Sequence, residues 1–136
     1  MLKRVVTALA IALSFLAVKV WAIEHTKDSL DKVKQQLAEK KCILLDVREQ
    51  REWDDGHVQD ARLMPLGELK RADKDPAVRE KLDKTVPKDR VIYCHCAKGV
   101  RALMAGSLLE KLGYDVRPLA PGFEELKDAG FPTVKK

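Results

Sequence analysis

The sequence predicts an α/β sandwich built around a parallel sheet. Three observations carry that reading. Short apolar runs recur at Cys42–Val47, Arg90–His95 and Tyr114–Leu119, helix-like segments alternate with them, and glycine or proline marks most of the joins. A continuous apolar run that ends in a charge reads as a strand buried on both faces. Strands alternating with helices assemble into parallel sheets.

Taken in order, residues 23–40 are expected to form a first helix, with Leu30, Val33 and Leu37 along one face. Cys42-Ile43-Leu44-Leu45-Asp46-Val47 is the first strand. Glu49 to Asp55 is a short helical turn stopped by Gly56, and Arg62-Leu63-Met64-Pro65 is a short strand or extended link. Asp75-Pro76 pairs an N-cap with proline at the first helical position, so a helix should run from there to about Lys84. Arg90 to His95 is the second strand. Arg101 to Leu112 is a helix with Ala105, Leu108, Leu109 and Leu112 as its stripe and Gly113 as its stop. Tyr114 to Leu119 is the third strand, and Gly122 to Ala129 is a short helix ended by Gly130. The chain shows no internal repeat and no second folded domain.

The amino-terminal residues follow a different pattern. Met1-Leu2-Lys3-Arg4 is a basic start, Val5 to Val18 is apolar apart from Thr7 and Ser14, and Val20-Trp21-Ala22 offers small or branched residues for cleavage. That is the layout of a secretory signal over residues 1–22, leaving residues 23–136 as the domain. The apolar stretch is short for a membrane span, although Lys19, Val20 and Trp21 could extend it as an uncleaved anchor. The expected destination is outside the cytosol, in the periplasm, with membrane contact only if the segment is retained. The chain holds 26 basic and 21 acidic residues; without Lys3, Arg4 and Lys19 the basic count is 23. The remaining charges are interspersed and aromatics are few, so nucleic acid is not an expected partner.

The chemistry concentrates at Cys96-Ala97-Lys98-Gly99-Val100-Arg101, between the second strand and the following helix. A thiol there faces the unpaired N–H groups and the positive end of a helix, which favour the nucleophilic thiolate. Gly99 lets the backbone curl so that N–H groups converge on one point, and Lys98 and Arg101 add positive charge. The loop therefore reads as a cradle for a cysteine carrying an anionic or persulfide adduct. Asp46 and Arg48 end the first strand and could border the same crevice, because ligands in such sheets bind outside the carboxyl ends of the strands. A structural ion pair between them is the plainer alternative.

These residues resemble the rhodanese family of sulfurtransferases. Leu45-Asp46-Val47-Arg48-Glu49 with Glu52 is similar to its first signature, and Gly56-His57-Val58 with Ala61 to its Gly-His-Ile segment. Cys96, Gly99 and Arg101 follow its active-site loop without a gap, and Leu119 to Gly122 with Gly130-Phe131-Pro132 resembles its C-terminal signature. Asp60, His95, Ala102 and Leu126 depart from the usual pattern. The resemblance implies a three-layer sandwich with a central parallel sheet flanked by helices. It also implies a Cys96 persulfide that takes sulfane sulfur from thiosulfate or a similar donor and passes it to a thiol, cyanide or protein acceptor. Lys98 occupies the basic slot of thiosulfate-using members.

The bland readings stay beside the sharp ones. Cys42 and Cys94 are expected to pack as small hydrophobes, although Cys94 could instead pair with Cys96 in a thiol-redox protein. His95 should point to the opposite strand face from Cys96 and pack there. Trp53, Glu52 and His57 read as structural. Cys94-His95-Cys96 looks like a metal tripeptide, but the sequence offers no second ligand pair at zinc spacing, so no metal and no organic cofactor are expected. A non-enzymatic sulfur carrier would need the same loop. A cysteine phosphatase would need a longer one, since only four residues separate Cys96 from Arg101.

Overall fold

The computed structural model describes residues 22–136. Its elements are α1 (Leu30–Ala38), β1 (Cys42–Asp46), α2 (Gln50–Asp55), β2 (His57–Val58), β3 (Arg62–Leu63), α3 (Leu66–Leu69), α4 (Pro76–Thr85), β4 (Val91–His95), α5 (Val100–Lys111), β5 (Val116–Pro118), α6 (Phe123–Asp128) and β6 (Thr133–Val134). The expected signal segment lies outside the described residues, apart from Ala22. No helix among the described residues is long and apolar enough to cross a membrane.

The sheet has the order β3-β1-β4-β5 with every pair parallel. Alternation along each strand divides the core in two. Ile43, Leu45, Ile92, Cys94 and Cys96 face α3, α4 and α5 through residues such as Leu69, Leu82 and Leu109. Cys42, Leu44 and Tyr93 face α1 and α6 through Val33 and Leu126. The result is the three-layer arrangement expected from the sequence. At nine residues, α1 is too short to persist in water alone, so its burial against the sheet holds it.

Helix α4 starts as expected. Its N-cap Asp75 carboxylate accepts from the Ala77 and Val78 N–H groups, and Pro76 follows at the first helical position. The first helix does not. It begins at Leu30, where the Ser29 hydroxyl accepts from the Lys32 N–H at 3.2 Å. Residues 22–29 form no helix, and the Thr26 N–H donates to the Pro118 carbonyl at the free edge of β5 at 2.8 Å. An edge that needs a partner outcompetes a helical turn that could start only upstream of its cap. Strands β2 and β6 form a separate antiparallel pair that the sequence did not announce.

Candidate active site

Strand β1 has β3 on one side and β4 on the other, so the chain reverses its winding between β1 and β4. In an open α/β sheet such a switch point leaves a crevice at the carboxyl ends of the strands. Asp46 and His95 are register partners at those ends, and Cys96 follows directly. The topology therefore delivers the predicted thiol to the place where this architecture binds ligands.

The loop closes over the thiol. The Gly99 N–H donates to Cys96 Sγ at 3.0 Å, and Gly99 adopts φ +90°, a left-handed conformation open to glycine. Helix α5 begins at Val100, so its unpaired N–H groups open onto the loop. The opposite wall is Gly122, where any Cβ would overlap the Ala97 carbonyl. The Phe123 N–H donates to the Cys96 carbonyl at 3.0 Å, which ties α6 to the same turn. Cys96 is 1% exposed, whereas Ala97, Lys98 and Val100 are exposed around it. The sulfur thus lies at the floor of a rim formed by the loop's own residues.

The two loop cations differ. Arg101 is held by a bidentate pair with Glu52, its Nη atoms donating to the carboxylate at 2.6 and 2.7 Å. That guanidinium, with smaller help from the Glu49 backbone, draws the Glu52 carboxyl down to about 2. Lys98 forms no ion pair or hydrogen bond among the described residues. Glu52, a residue the sequence marked only as structural, therefore sets where Arg101 points.

Asp46 and Arg48 come together but do not line an open pocket. They are 0% and 5% exposed. Arg48 Nε and Nη2 donate to the Asp46 carboxylate at 2.8–3.0 Å, Nη2 also donates to the Gly56 carbonyl at 2.7 Å, and the guanidinium lies 4.3 Å from the Phe123 ring centre. The expectation that the two residues border the crevice gives way to its plainer alternative, a buried ion pair, with Arg48 Nε and Nη2 both taken by Asp46 and Gly56. His95 shares that buried face. Its Nε2 sits 3.7 Å from Asp46 Oδ2 and is the buried side-chain nitrogen or oxygen left without a hydrogen bond among the described residues. Burial lowers the His95 pKa, with Asp46 opposing, so the imidazole stays neutral. The other two thiols are inert by environment. Cys94 is fully buried, donates to the Ala102 carbonyl at 3.3 Å and is pushed up to about 12 by burial; burial also raises Cys42.

A cleft of about 440 Å³ opens near Leu37, Lys40, Cys42, Arg62 and Arg90. It lies at the amino ends of the strands, away from Cys96 and from the end where such sheets bind ligands. No cluster of His, Cys, Asp or Glu among the described residues could hold a metal ion.

Fold and loop together have the form of a rhodanese-like domain, and comparison with known proteins agrees. The Rhodanese-like domain family matches residues 29–129, and the chain belongs to that family. The human single-domain sulfurtransferase TSTD1 superposes with a TM-score of 0.64 at 29% identity, covering 74% of this chain and 94% of that one. A structure described as rhodanese with anions from E. coli gives 0.53 at 30% identity, covering 70% and 99%. A Schizosaccharomyces pombe protein named "Putative thiosulfate sulfurtransferase, mitochondrial" is 31% identical over 85 residues, 60% of this chain and 59% of its own length. The match to Bacillus subtilis YqhL covers 61% of that protein, so the chain spans about three fifths of the length of these curated relatives.

Proposed function

We propose that this domain moves sulfane sulfur from thiosulfate, or a similar small anionic donor, to a thiophilic acceptor through a persulfide on Cys96. The observation that carries the reading is the single thiol set at the carboxyl end of β4, under a turn of backbone N–H groups, with an uncommitted lysine on its rim. In the first half-reaction, Cys96 thiolate attacks the outer sulfur of thiosulfate. A sulfur–sulfur bond forms to Cys96, the bond to the sulfonate sulfur breaks, and sulfite leaves with the electron pair. In the second, a thiolate or cyanide takes the outer sulfur and Cys96 leaves as thiolate. Splitting the transfer through a covalent intermediate is nucleophilic catalysis. The N–H groups around Gly99 and Val100 would meet the negative charge on the outer sulfur, and Lys98 would draw in the dianionic donor. The burial of Cys96 suits a small donor better than a bulky one.

The same reading keeps the domain outside the cytosol, on the strength of the amino-terminal pattern ending at Ala22. The redox alternative is disfavoured because Cys94 is buried, strongly raised in pKa and bonded to Ala102. Turnover with thiosulfate and cyanide should vanish in Cys96→Ser and largely persist in Cys94→Ser, whose hydroxyl can still donate to Ala102. Turnover surviving in Cys96→Ser would overturn the assignment.

A further inference from the structure

We infer that His25, which lies ahead of the span matched to the family, is a positioning residue for the persulfide cradle. The inference rests on the sulfur-transfer reading and adds a part to it. Residues 22–29 belong to no helix or strand and are anchored on both sides of His25. On one side, Ile23 packs so closely over Gly106 that a Cβ there would come within 2.9 Å of Ile23 Cδ1. On the other, the Thr26 N–H donates to Pro118 O at 2.8 Å, and the Asp28 carboxylate accepts from the Tyr93 hydroxyl at 2.6 Å and from Arg117 at 2.9 Å. Between these anchors, His25 Nε2 lies 2.9 Å from the Gly99 carbonyl oxygen. A carbonyl only accepts, so Nε2 carries the hydrogen.

That bond reaches the site through one rigid unit. Gly99 O belongs to the peptide that joins Gly99 to Val100. In a planar trans peptide the N–H points opposite to the C=O, so fixing Gly99 O fixes the Val100 N–H. Val100 is the first residue of α5, so its N–H is one of the helix's orphan donors, next in the chain to the Gly99 N–H that donates to Cys96 Sγ. Within α5 the same carbonyl is held only by a long bond from the Leu103 N–H, at 3.3 Å. His25 supplies the shorter restraint. Its ring also fills the space over Gly99, where a Cβ would lie 3.1 Å from Nε2. The imidazole is thus a clamp on the peptide whose N–H must already be aimed when charge arrives on the outer sulfur.

The test uses the full chain and two substitutions, His25→Ala and His25→Gln, the latter keeping an N–H donor. Persulfide formation from thiosulfate is followed by rapid-quench intact mass, and amide hydrogen exchange is followed at Val100. In His25→Ala, the loading rate at saturating thiosulfate should fall about tenfold, the half-saturating concentration should change little, and Val100 exchange should quicken. His25→Gln should recover most of both. Loading as fast in His25→Ala as in the unsubstituted protein, or equally slow in both variants, would overturn the inference. If the unsubstituted protein takes up no sulfur, the sulfur-transfer reading fails by itself. Val100 exchange in the same variants then decides the clamp: quickened in Ala and restored in Gln supports it, and unchanged overturns it.

Discussion

Lys98 and Arg101 carry the same charge at nearly the same place and are given different work. Arg101 is paired twice with Glu52 and is therefore fixed before any ligand arrives. A bidentate guanidinium–carboxylate pair is a directional link between α2 and α5, and exchanging Arg for Lys there would lose the geometry while keeping the charge. Lys98 stands exposed with no partner among the described residues. Its value is as a field for an approaching anion, which acts on capture rather than on the chemical step and weakens with salt. Lys98→Ala should therefore raise KM for thiosulfate about threefold to tenfold at low ionic strength, with kcat little changed. The KM for an uncharged sulfane donor should hardly move. Steady-state kinetics with both donors measures this, and equal effects on the two would mean that Lys98 is merely solvated. The sequence showed both cations but not their difference, because Glu52 lies far away along the chain. For Arg48 the sequence offered the ion pair with Asp46 as one of two readings, whereas the Gly56 carbonyl that closes over it is a product of the fold.

At the scale of elements, the site is a turn held between two helices. Strand β4 delivers Cys96, α5 begins at Val100, and α6 backs the turn through Gly122 and the Phe123 N–H. The place of Gly122 is a close approach of two backbones, since a side chain there would run into the Ala97 carbonyl and its carbon. Backbone cannot swing aside as a side-chain tip can. Gly122→Ala should displace residues 96–97, lower stability by about 1–3 kcal/mol and slow sulfur loading together with it. Denaturant melts beside loading rates check this, and an alanine variant with unchanged stability and loading would contradict the packing described. The strands, α4 and α5 were legible because their signals are local: buried runs, an N-cap followed by proline, an apolar stripe stopped by glycine. Strands β2 and β6, of two residues each, and the four-residue α3 carry too little periodicity to read. Residues 23–28 were misread for a different reason. The pull of the β5 edge on the segment is tertiary and leaves no local trace. His25 was hidden by that same misreading.

Across the whole molecule, one sheet separates two environments at neighbouring residues. Cys94 and Cys96 look toward α3, α4 and α5, while the register-paired Asp46 and His95 look toward α1 and α6. The buried Asp46–Arg48 pair and the neutral His95 stiffen the end of the sheet on one face. On the other, a nucleophile emerges where the strand gives way to a helix. Breaking a buried ion pair by removing one partner is costly, so that face favours permanence over adjustment. The strap over residues 22–29 then ties the amino-terminal end of the domain to the active loop, which makes the start of the folded domain part of its site. The account as a whole stands on Cys96 carrying a sulfur atom. Intact mass of the full-length protein after thiosulfate treatment, beside Cys96→Ser, reads this directly. The account predicts a gain of one sulfur that disappears on adding cyanide or a thiol and never forms in the variant. No gain on a protein whose thiols are shown to be free, or the same gain in Cys96→Ser, would contradict it.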